Sequence, residues 1–300
     1  MIKAEHLTKN FGDFCALNNI SCTINDGCIY GMVGSNGAGK STFLRILSGI
    51  YRADSGSVTI DGETIWENPI PRSRIAFVPD ELYFLPGATM ERMALMHRDT
   101  RRGFDMRRFK TLAGKFSLNT RAQISTFSKG MKRQAATILA LSTNPDYIFF
   151  DETFDGLDPI MRNFVKAIIC EDVMDRGASA VITSHSLREL EDTCDQLSLL
   201  HRGGIVFEQD IANLKTAQFK VQIALRGEYD RQTFEKVLRD ADILHFVKHG
   251  SVTNMIVRGD RDSVTAALRE TDPLILDILP LTLEEVFTYE MEALGYKFEL

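Results

Sequence analysis

A short run near the N-terminus has the residue types and the spacing that hold phosphate groups. It follows an apolar segment, Cys28 to Val33, that predicts a buried strand, and it leads into a stretch that predicts an amphipathic helix. A glycine-rich loop between strand and helix directs backbone N–H groups and the positive end of the helix dipole at one point. The run fits the phosphate-binding P-loop pattern G-x-x-x-x-G-K-[ST]. Its residues are Gly34, Ser35, Asn36, Gly37, Ala38, Gly39, Lys40, Ser41 and Thr42.

The lysine of this run and the serine that follows it are predicted to have separate roles. Lys40 is expected to reach the β- and γ-phosphates of a nucleotide, and the Ser41 hydroxyl is expected to ligate Mg²⁺. A glycine-rich turn that binds nothing is the alternative, and the strand and helix on either side disfavour it. The sequence therefore predicts a nucleotide and magnesium as ligands.

Two adjacent carboxylates follow a second apolar segment. Tyr147 to Phe150 predicts a buried strand, and Asp151 and Glu152 come directly after it. Ligands of open α/β sheets bind at the carboxyl ends of the strands. Asp151 is therefore expected to hold Mg²⁺, and Glu152 to polarise the attacking water. The alternative is that both acids are merely solvated at the end of a strand. The upstream P-loop favours the role in nucleotide hydrolysis.

Composition excludes several classes of protein. The chain has 300 residues and a formal net charge of -6, which argues against a nucleic-acid partner. Its five cysteines show no metal-ligand spacing, so we expect reduced thiols in a cytoplasmic protein. The N-terminus lacks an apolar signal core, and no apolar stretch is long enough to span a membrane. Any role at a membrane would then require other chains to do the spanning.

The order of predicted elements indicates an α/β core followed by a smaller module. Strands alternate with helices over residues 1–215, which predicts a mostly parallel sheet covered on its faces, with a helical subdomain inserted at about 88–143. The pattern β-α-β-β-α-β then predicts a ferredoxin-like accessory module over 216–300, closed by a last helix.

Further short motifs give residues 1–215 a family resemblance. Phe127-Ser128-Lys129-Gly130-Met131 resembles the signature LSGGQ of ATP-binding cassette (ABC) subunits, although it departs from that sequence at three of five positions. Gly156 to Pro159 resembles the D-loop of that family, and Thr183 to Ser186 resembles its switch region. The chain thus looks like the nucleotide-binding subunit of an ABC transporter, and the resemblance implies the ABC type of P-loop NTPase fold, with antiparallel strands beside the parallel sheet.

The resemblance also implies roles for individual residues. Ser128 and Gly130 would contact the γ-phosphate, Asp158 would contribute to the nucleotide site from the D-loop, His185 would sense the γ-phosphate, and Phe11 would stack on adenine. In this family two ATPase subunits pair head to tail, so that each ATP lies between the P-loop of one and the signature of the other. The implied partners are a second ABC ATPase subunit, identical or not, and an integral-membrane permease that holds both on the inner face of the membrane.

One departure from the family pattern falls on the metal site. The family has glutamine at the position of Asp80, after the strand that ends at Val78. A carboxylate oxygen suits Mg²⁺, so we expect Asp80 to be a metal ligand. The alternative is a solvated Asp80 with no part in the site. Thr153 stands where the family often has proline, a difference that removes no catalytic group.

Three functions compete. The leading one is an ATPase that energises an exporter, because Thr282 to Phe287 resembles the tail of bacterial antibiotic, bacitracin-type and polysaccharide exporter ATPases. The second is a soluble ABC ATPase in DNA repair, translation or regulation. The short interval between P-loop and signature, and the single cassette, disfavour it. The third is a non-enzymatic module that dimerises on binding ATP.

Overall fold

The computed structural model describes residues 1–101, 103–211 and 218–293, apart from the side chains of 287 and 290–293. The chain divides into two compact units, Met1–Glu208 and Gln209–Leu300. The predicted boundary at residue 215 lies in 212–217, outside the described residues.

The first unit contains two sheets and the helices that cover them. Its strands are β1 (Ile2–Phe11), β2 (Phe14–Ile24), β3 (Ile29–Val33), β4 (Ser55–Ile60), β5 (Glu63–Thr64), β6 (Ile75–Val78), β7 (Tyr147–Asp151), β8 (Ser179–Ser184), β9 (Gln196–His201) and β10 (Gly204–Asp210), which crosses into the second unit. Its helices are α1 (Lys40–Leu47), α2 (Pro69–Ser73), α3 (Met90–Thr100), α4 (Met106–Lys115), α5 (Lys129–Leu141), α6 (Pro159–Arg176) and α7 (Leu187–Glu191).

The parallel sheet brings three strand ends to one edge. Its order is β10-β9-β3-β8-β7-β6, so β3, which leads into the P-loop, lies next to β8. Strands β3 and β7 are buried at every position, as expected where helices cover both faces. Thr183 on β8 is the register partner of Met32 on β3 and of Asp151 on β7. The P-loop, the acidic pair and the switch region therefore start from neighbouring points.

The second sheet is antiparallel, with the order β2-β1-β4-β5. One hydrophobic cluster joins it to the parallel sheet and to α1, with Leu7, Leu17, Phe43 and Phe149 fully buried. The fold class predicted from the sequence is confirmed. Strands β9 and β10 were missed, because a short apolar run such as Leu197 to Leu200 has no periodicity that separates strand from helix.

Helices α3, α4 and α5 lie within the span predicted for the inserted helical subdomain. Each begins where a side-chain oxygen accepts a hydrogen bond from a backbone N–H of the first turn. The capping residues are Thr89, Asp105 and Ser128. The cap at Ser128 fixes the start of α5 within the signature-like run. No helix in the described ranges 1–101, 103–211 and 218–293 is long and apolar enough to cross a membrane.

The second unit is an α+β module. Its strands are β11 (Gln218–Ala224), β12 (Asp242–His249), β13 (Val252–Arg258) and β14 (Ile275–Pro280), and its helices are α8 (Arg231–Val237), α9 (Arg261–Arg269) and α10 (Leu283–Ala293). The sheet order is β12-β13-β11-β14, with antiparallel neighbours, which is the order of a ferredoxin-like sheet. A separate cluster that includes Val221, Phe234, Met255 and Leu268 forms its core.

Candidate active site

The P-loop packs so closely against neighbouring backbone that two positions require glycine. A Cβ on Gly34 would lie 2.4 Å from the Leu200 carbonyl oxygen. A Cβ on Gly39 would lie 2.4 Å from the Ala16 carbonyl oxygen, and the φ of Gly39 is +111°, which L-residues rarely adopt. These contacts hold the loop at the carboxyl end of β3 and start α1 immediately after Gly39.

The first turn of α1 is open to an anion. No side chain of the described residues caps this helix, so its first N–H groups lack the acceptor that a cap would provide. An anion at such a terminus also benefits from the helix dipole. Ser35, Asn36 and Gly37 are exposed at the tip of the loop, Ala38 is buried, and Thr42 is half-buried in the first turn.

Lys40 lies folded back over the loop that precedes it. Its Nζ donates to the Gly34 carbonyl oxygen at 2.7 Å and to the Ser35 carbonyl oxygen at 3.2 Å. It also forms an ion pair with Glu152 Oε1 at 3.0 Å. The ammonium is therefore fixed between the P-loop and the acidic strand end, where a phosphate bound by the loop can use its charge.

Asp151 is fully buried beside Ser41 and Thr183. Its Oδ1 accepts hydrogen bonds from the hydroxyls of Ser41, at 3.0 Å, and Thr183, at 2.8 Å. Burial raises the pKa of Asp151, while these two hydrogen bonds act to lower it. Its Oδ2 is buried and has no hydrogen-bond partner among the described residues. A buried, unpaired carboxylate oxygen next to the P-loop serine fits a magnesium ion.

Glu152 has a left-handed backbone, with φ +48°, which is unusual for a residue with a side chain. Its backbone N–H donates to Thr183 Oγ1 at 3.2 Å. Its Oε2 accepts from the His185 backbone N–H at 3.3 Å and lies 2.9 Å from His185 Nδ1. Non-glycine residues in this conformation cluster at functional sites, where surrounding contacts hold them. Lys40 and His185 thus hold the carboxylate from two sides.

The signature-like run contacts the D-loop. Ser128 Oγ accepts from the Met131 N–H at 3.2 Å. Lys129 Nζ lies 2.7 Å from Asp155 Oδ2, and a Cβ on Gly130 would lie 3.2 Å from the Gly156 carbonyl oxygen. Asp158 caps α6 by accepting from the Met161 N–H at 2.9 Å. Contacts of Ser128, Gly130 and Asp158 with a nucleotide stay predictions.

Two other predicted residues lie outside the contact network of Lys40, Ser41, Asp151, Glu152 and His185. The Asp80 carboxylate is half-exposed and pairs with Arg133, which is buried. This contact differs from the metal ligation predicted for Asp80. Phe11 is 44% exposed at the end of β1, with its ring edge-on to Tyr51 at 5.7 Å between centroids. Adenine stacking on Phe11 stays a prediction.

Sequence reasoning gave no role to Thr183 or Arg133. Thr183 contacts both acidic residues, and its place opposite Asp151 in the parallel register is the signal that could have identified it. Arg133 showed no such signal, because its contacts depend on how α5 packs. No group of three or more His, Cys, Asp and Glu side chains that could hold a metal occurs in the part of the chain that the structure describes. A metal here would need oxygen ligands from the nucleotide as well.

Together these contacts define a P-loop nucleoside triphosphatase. The sequence model of a family described as ABC transporter matches residues 17–155. The LptB ATP-binding protein of the lipopolysaccharide export system of Haemophilus influenzae is 31% identical over 69% of this chain and 89% of its own length. The ABC transporter ATP-binding protein YtrB of Bacillus subtilis is 28% identical over 96% of this chain and 97% of its own. A dimeric ABC transporter cassette, MJ0796, superposes with a TM-score of 0.65 at 22% identity, over 70% of this chain and 99% of that one.

The chain belongs to the ABC transporter family, and within it to the subunits that bind and hydrolyse ATP. The family resemblance stated from the sequence, the fold and the ATPase activity are thereby confirmed. ATP is the substrate of the site described above.

Proposed function

We propose that this chain drives export through ATP-dependent pairing with a second ABC ATPase subunit, each bound to an integral-membrane permease. The observation that carries the proposal is the division of the nucleotide residues into two clusters. Lys40, Asp151 and Glu152 meet at the P-loop, whereas Ser128 and Gly130 lie with the D-loop. An ATP held by the first cluster of one chain and the second cluster of another would join two chains. Hydrolysis would release them.

The residues of the first cluster support a division of labour in hydrolysis. Lys40 and the open first turn of α1 bind the phosphate oxygens. Ser41 and Asp151 would hold Mg²⁺, which neutralises charge on the phosphates when it is bound. Glu152 accepts a proton from the attacking water, and His185 fixes the glutamate carboxylate from the other side. The sequence alone would add Asp80 to these metal ligands, but its carboxylate pairs with Arg133.

An apolar groove in the first unit supports a permease as the partner. It lies between the segment that follows β6 and helices α3 and α5, and Phe77, Leu82, Phe84 and Leu139 line it. Tyr83, at its rim, is 77% exposed. A groove lined by apolar side chains suits an amphipathic helix that inserts apolar anchors. We assign it to a cytoplasmic helix of the permease, which would place the chain on the inner face of the cell membrane.

Residues 216–300 receive an accessory role in the same proposal, because the catalytic residues all belong to the first unit. Export is preferred over import because the relative LptB serves a system named for export.

Site-specific photo-crosslinking in native membranes tests the partner. A benzoylphenylalanine at position 83 should crosslink to a polytopic membrane protein in an ATPase-competent complex. The matched control replaces Met174, which is 83% exposed on α6 and is not one of the residues that line the groove. Crosslinking of position 83 only to soluble proteins would contradict the permease assignment and favour the soluble alternative. Equal crosslinking from both positions would show that the groove has no selectivity.

A further inference from the structure

A buried guanidinium connects the signature-bearing helix to the acidic end of β7. Arg133 lies on α5, the helix that Ser128 caps, and its side chain is only 1% exposed. A charge buried to this degree needs a counterion and hydrogen-bond acceptors, since its desolvation is otherwise costly. Its Nη2 donates to Asp80 Oδ1, and its Nη1 donates to the Pro79 carbonyl oxygen at 3.2 Å and points to the Asp151 carbonyl oxygen at 3.5 Å.

The last of these acceptors is central to the site. The Asp151 carbonyl belongs to the peptide that joins Asp151 to Glu152, and Glu152 then adopts its left-handed φ of +48°. A backbone in that region persists only where neighbouring groups hold it. The Glu152 N–H is held by Thr183 on one side of this peptide, and Arg133 faces its carbonyl on the other.

We propose that Arg133 positions the Asp151–Glu152 peptide for catalysis and that Asp80 is the counterion of Arg133 rather than a magnesium ligand. Asp80, which stands where the family has glutamine, thus compensates the charge of the buried Arg133. Because Arg133 is on α5 and Asp80 follows β6, the pair also ties the helical subdomain to the parallel sheet at the catalytic edge. This inference uses the ATPase activity alone and is independent of the dimer, permease and export proposals.

The two partners differ in how well each tolerates loss of the other. Asp80 is 49% exposed, so water can solvate its carboxylate if Arg133 is removed. Arg133 has no such access, and the Asp80→Asn variant leaves its charge buried against two neutral carbonyls. Replacing both residues removes the uncompensated charge. The double variant is therefore more stable than Asp80→Asn alone, an order that a metal-ligand role for Asp80 does not predict for the metal-free protein.

The experiment is a double-mutant cycle with Asp80→Asn, Arg133→Gln and the double variant. ATP turnover is measured as a function of Mg²⁺ concentration, and thermal unfolding is measured without nucleotide or metal. Asp80→Asn and Arg133→Gln should each lower kcat by about tenfold, because each disturbs the support of the Asp151–Glu152 peptide, and the double variant should be no slower than Arg133→Gln alone, a coupling within the range seen for contacting residues. The Mg²⁺ concentration for half-maximal turnover should stay unchanged. The unfolding temperature should fall in Asp80→Asn and recover in the double variant.

Two further variants sharpen the result. Arg133→Lys keeps the charge for Asp80 but loses the planar fork that reaches three acceptors, so kcat should fall while stability stays closer to wild type than in Arg133→Gln. Asp99→Asn removes the acidic partner of Arg98 in an exposed pair on α3 and should leave every readout unchanged. An increased Mg²⁺ requirement in Asp80→Asn, together with an unfolding temperature that adding Arg133→Gln does not restore, would overturn the proposal in favour of metal ligation. Additive effects on kcat and on unfolding temperature would overturn it as well.

Discussion

Glu152 and Lys40 form an ion pair at 3.0 Å in which both side chains are largely buried, 13% and 5% exposed. The residue expected to polarise water and the residue expected to bind phosphate thus contact one another directly. A phosphate that binds at the P-loop competes with Glu152 for the same ammonium group. Phosphate binding therefore weakens the hold of Lys40 on the Glu152 carboxylate, while His185 keeps its contact with the other carboxylate oxygen.

Substituting Glu152 by Gln should separate ATP binding from turnover. The amide keeps the shape of the side chain but cannot accept a proton from water, so kcat should fall by at least about a hundredfold. Without the ion pair, the Lys40 ammonium no longer gives up a contact with Glu152 when it binds phosphate, so the affinity for ATP should rise. Phosphate release and equilibrium binding of a fluorescent ATP analogue measure the two effects.

The matched control is Glu171→Gln, which removes an exposed carboxylate paired with Lys115 on the protein surface and should leave both quantities unchanged. Size-exclusion chromatography with ATP should also show a dimer of Glu152→Gln. If the variant hydrolyses ATP at the wild-type rate, the assignment of Glu152 fails. This result would indicate that another group accepts the proton from water.

The sequence predicted the parts of the site that depend on local order along the chain. Gly34, Lys40 and Ser41 follow from one motif, and Asp151 with Glu152 follows from an apolar strand. The Arg133–Asp80 pair could not be predicted, because the two residues come together only when α5 packs against the segment after β6. Asp80 alone has the chemistry of a Mg²⁺ ligand, and nothing in its local sequence reveals an arginine as its partner.

Backbone geometry was a second limit on prediction. The left-handed conformation of Glu152 results from contacts with Thr183 and His185, which lie on β8 and in the loop after it. The residue types around Glu152 do not predict a left-handed backbone there, since glycine is the residue that usually marks a left-handed position. By contrast, helix α9 (Arg261–Arg269) is marked locally, because Asp260 caps its first turn and Val264 and Leu268 lie one turn apart on its buried side.

Thr183→Val should impair both stability and turnover. Valine has nearly the same shape but leaves the Glu152 N–H without its acceptor and removes a hydrogen bond to Asp151 Oδ1. Losing such buried contacts costs about 1–3 kcal/mol of unfolding free energy, measured by urea denaturation. We expect kcat to fall as the peptide of Glu152 relaxes. Thr183→Ser keeps the hydroxyl and should retain most activity; equal losses in both variants would indicate a packing effect instead.

Asp151→Asn should abolish ATP turnover. In the absence of metal, it should also make the protein more stable than wild type. Burial holds the pKa of Asp151 above its ordinary value, so the folded state binds this proton more tightly than the unfolded state does. The carboxylate therefore lowers stability above its raised pKa, and this loss is relieved as pH falls through that pKa. The stability difference between variant and wild type should be largest at neutral pH and shrink on acidification. A constant difference from neutral to acidic pH in urea denaturation would contradict this account.

Gly34→Ala should lose nucleotide binding because the added methyl group has no room. Its Cβ would lie 2.4 Å from the Leu200 carbonyl oxygen and 3.2 Å from Ala38 Cβ, so the P-loop must shift away from β9. Such overpacking typically costs about 1–3 kcal/mol. The matched control is Gly114→Ala in α4, where the added Cβ would meet nothing within 4 Å. This substitution should stabilise the helix by up to about 1 kcal/mol. Wild-type ATP affinity in Gly34→Ala, measured by titration calorimetry, would show that the loop tolerates the displacement.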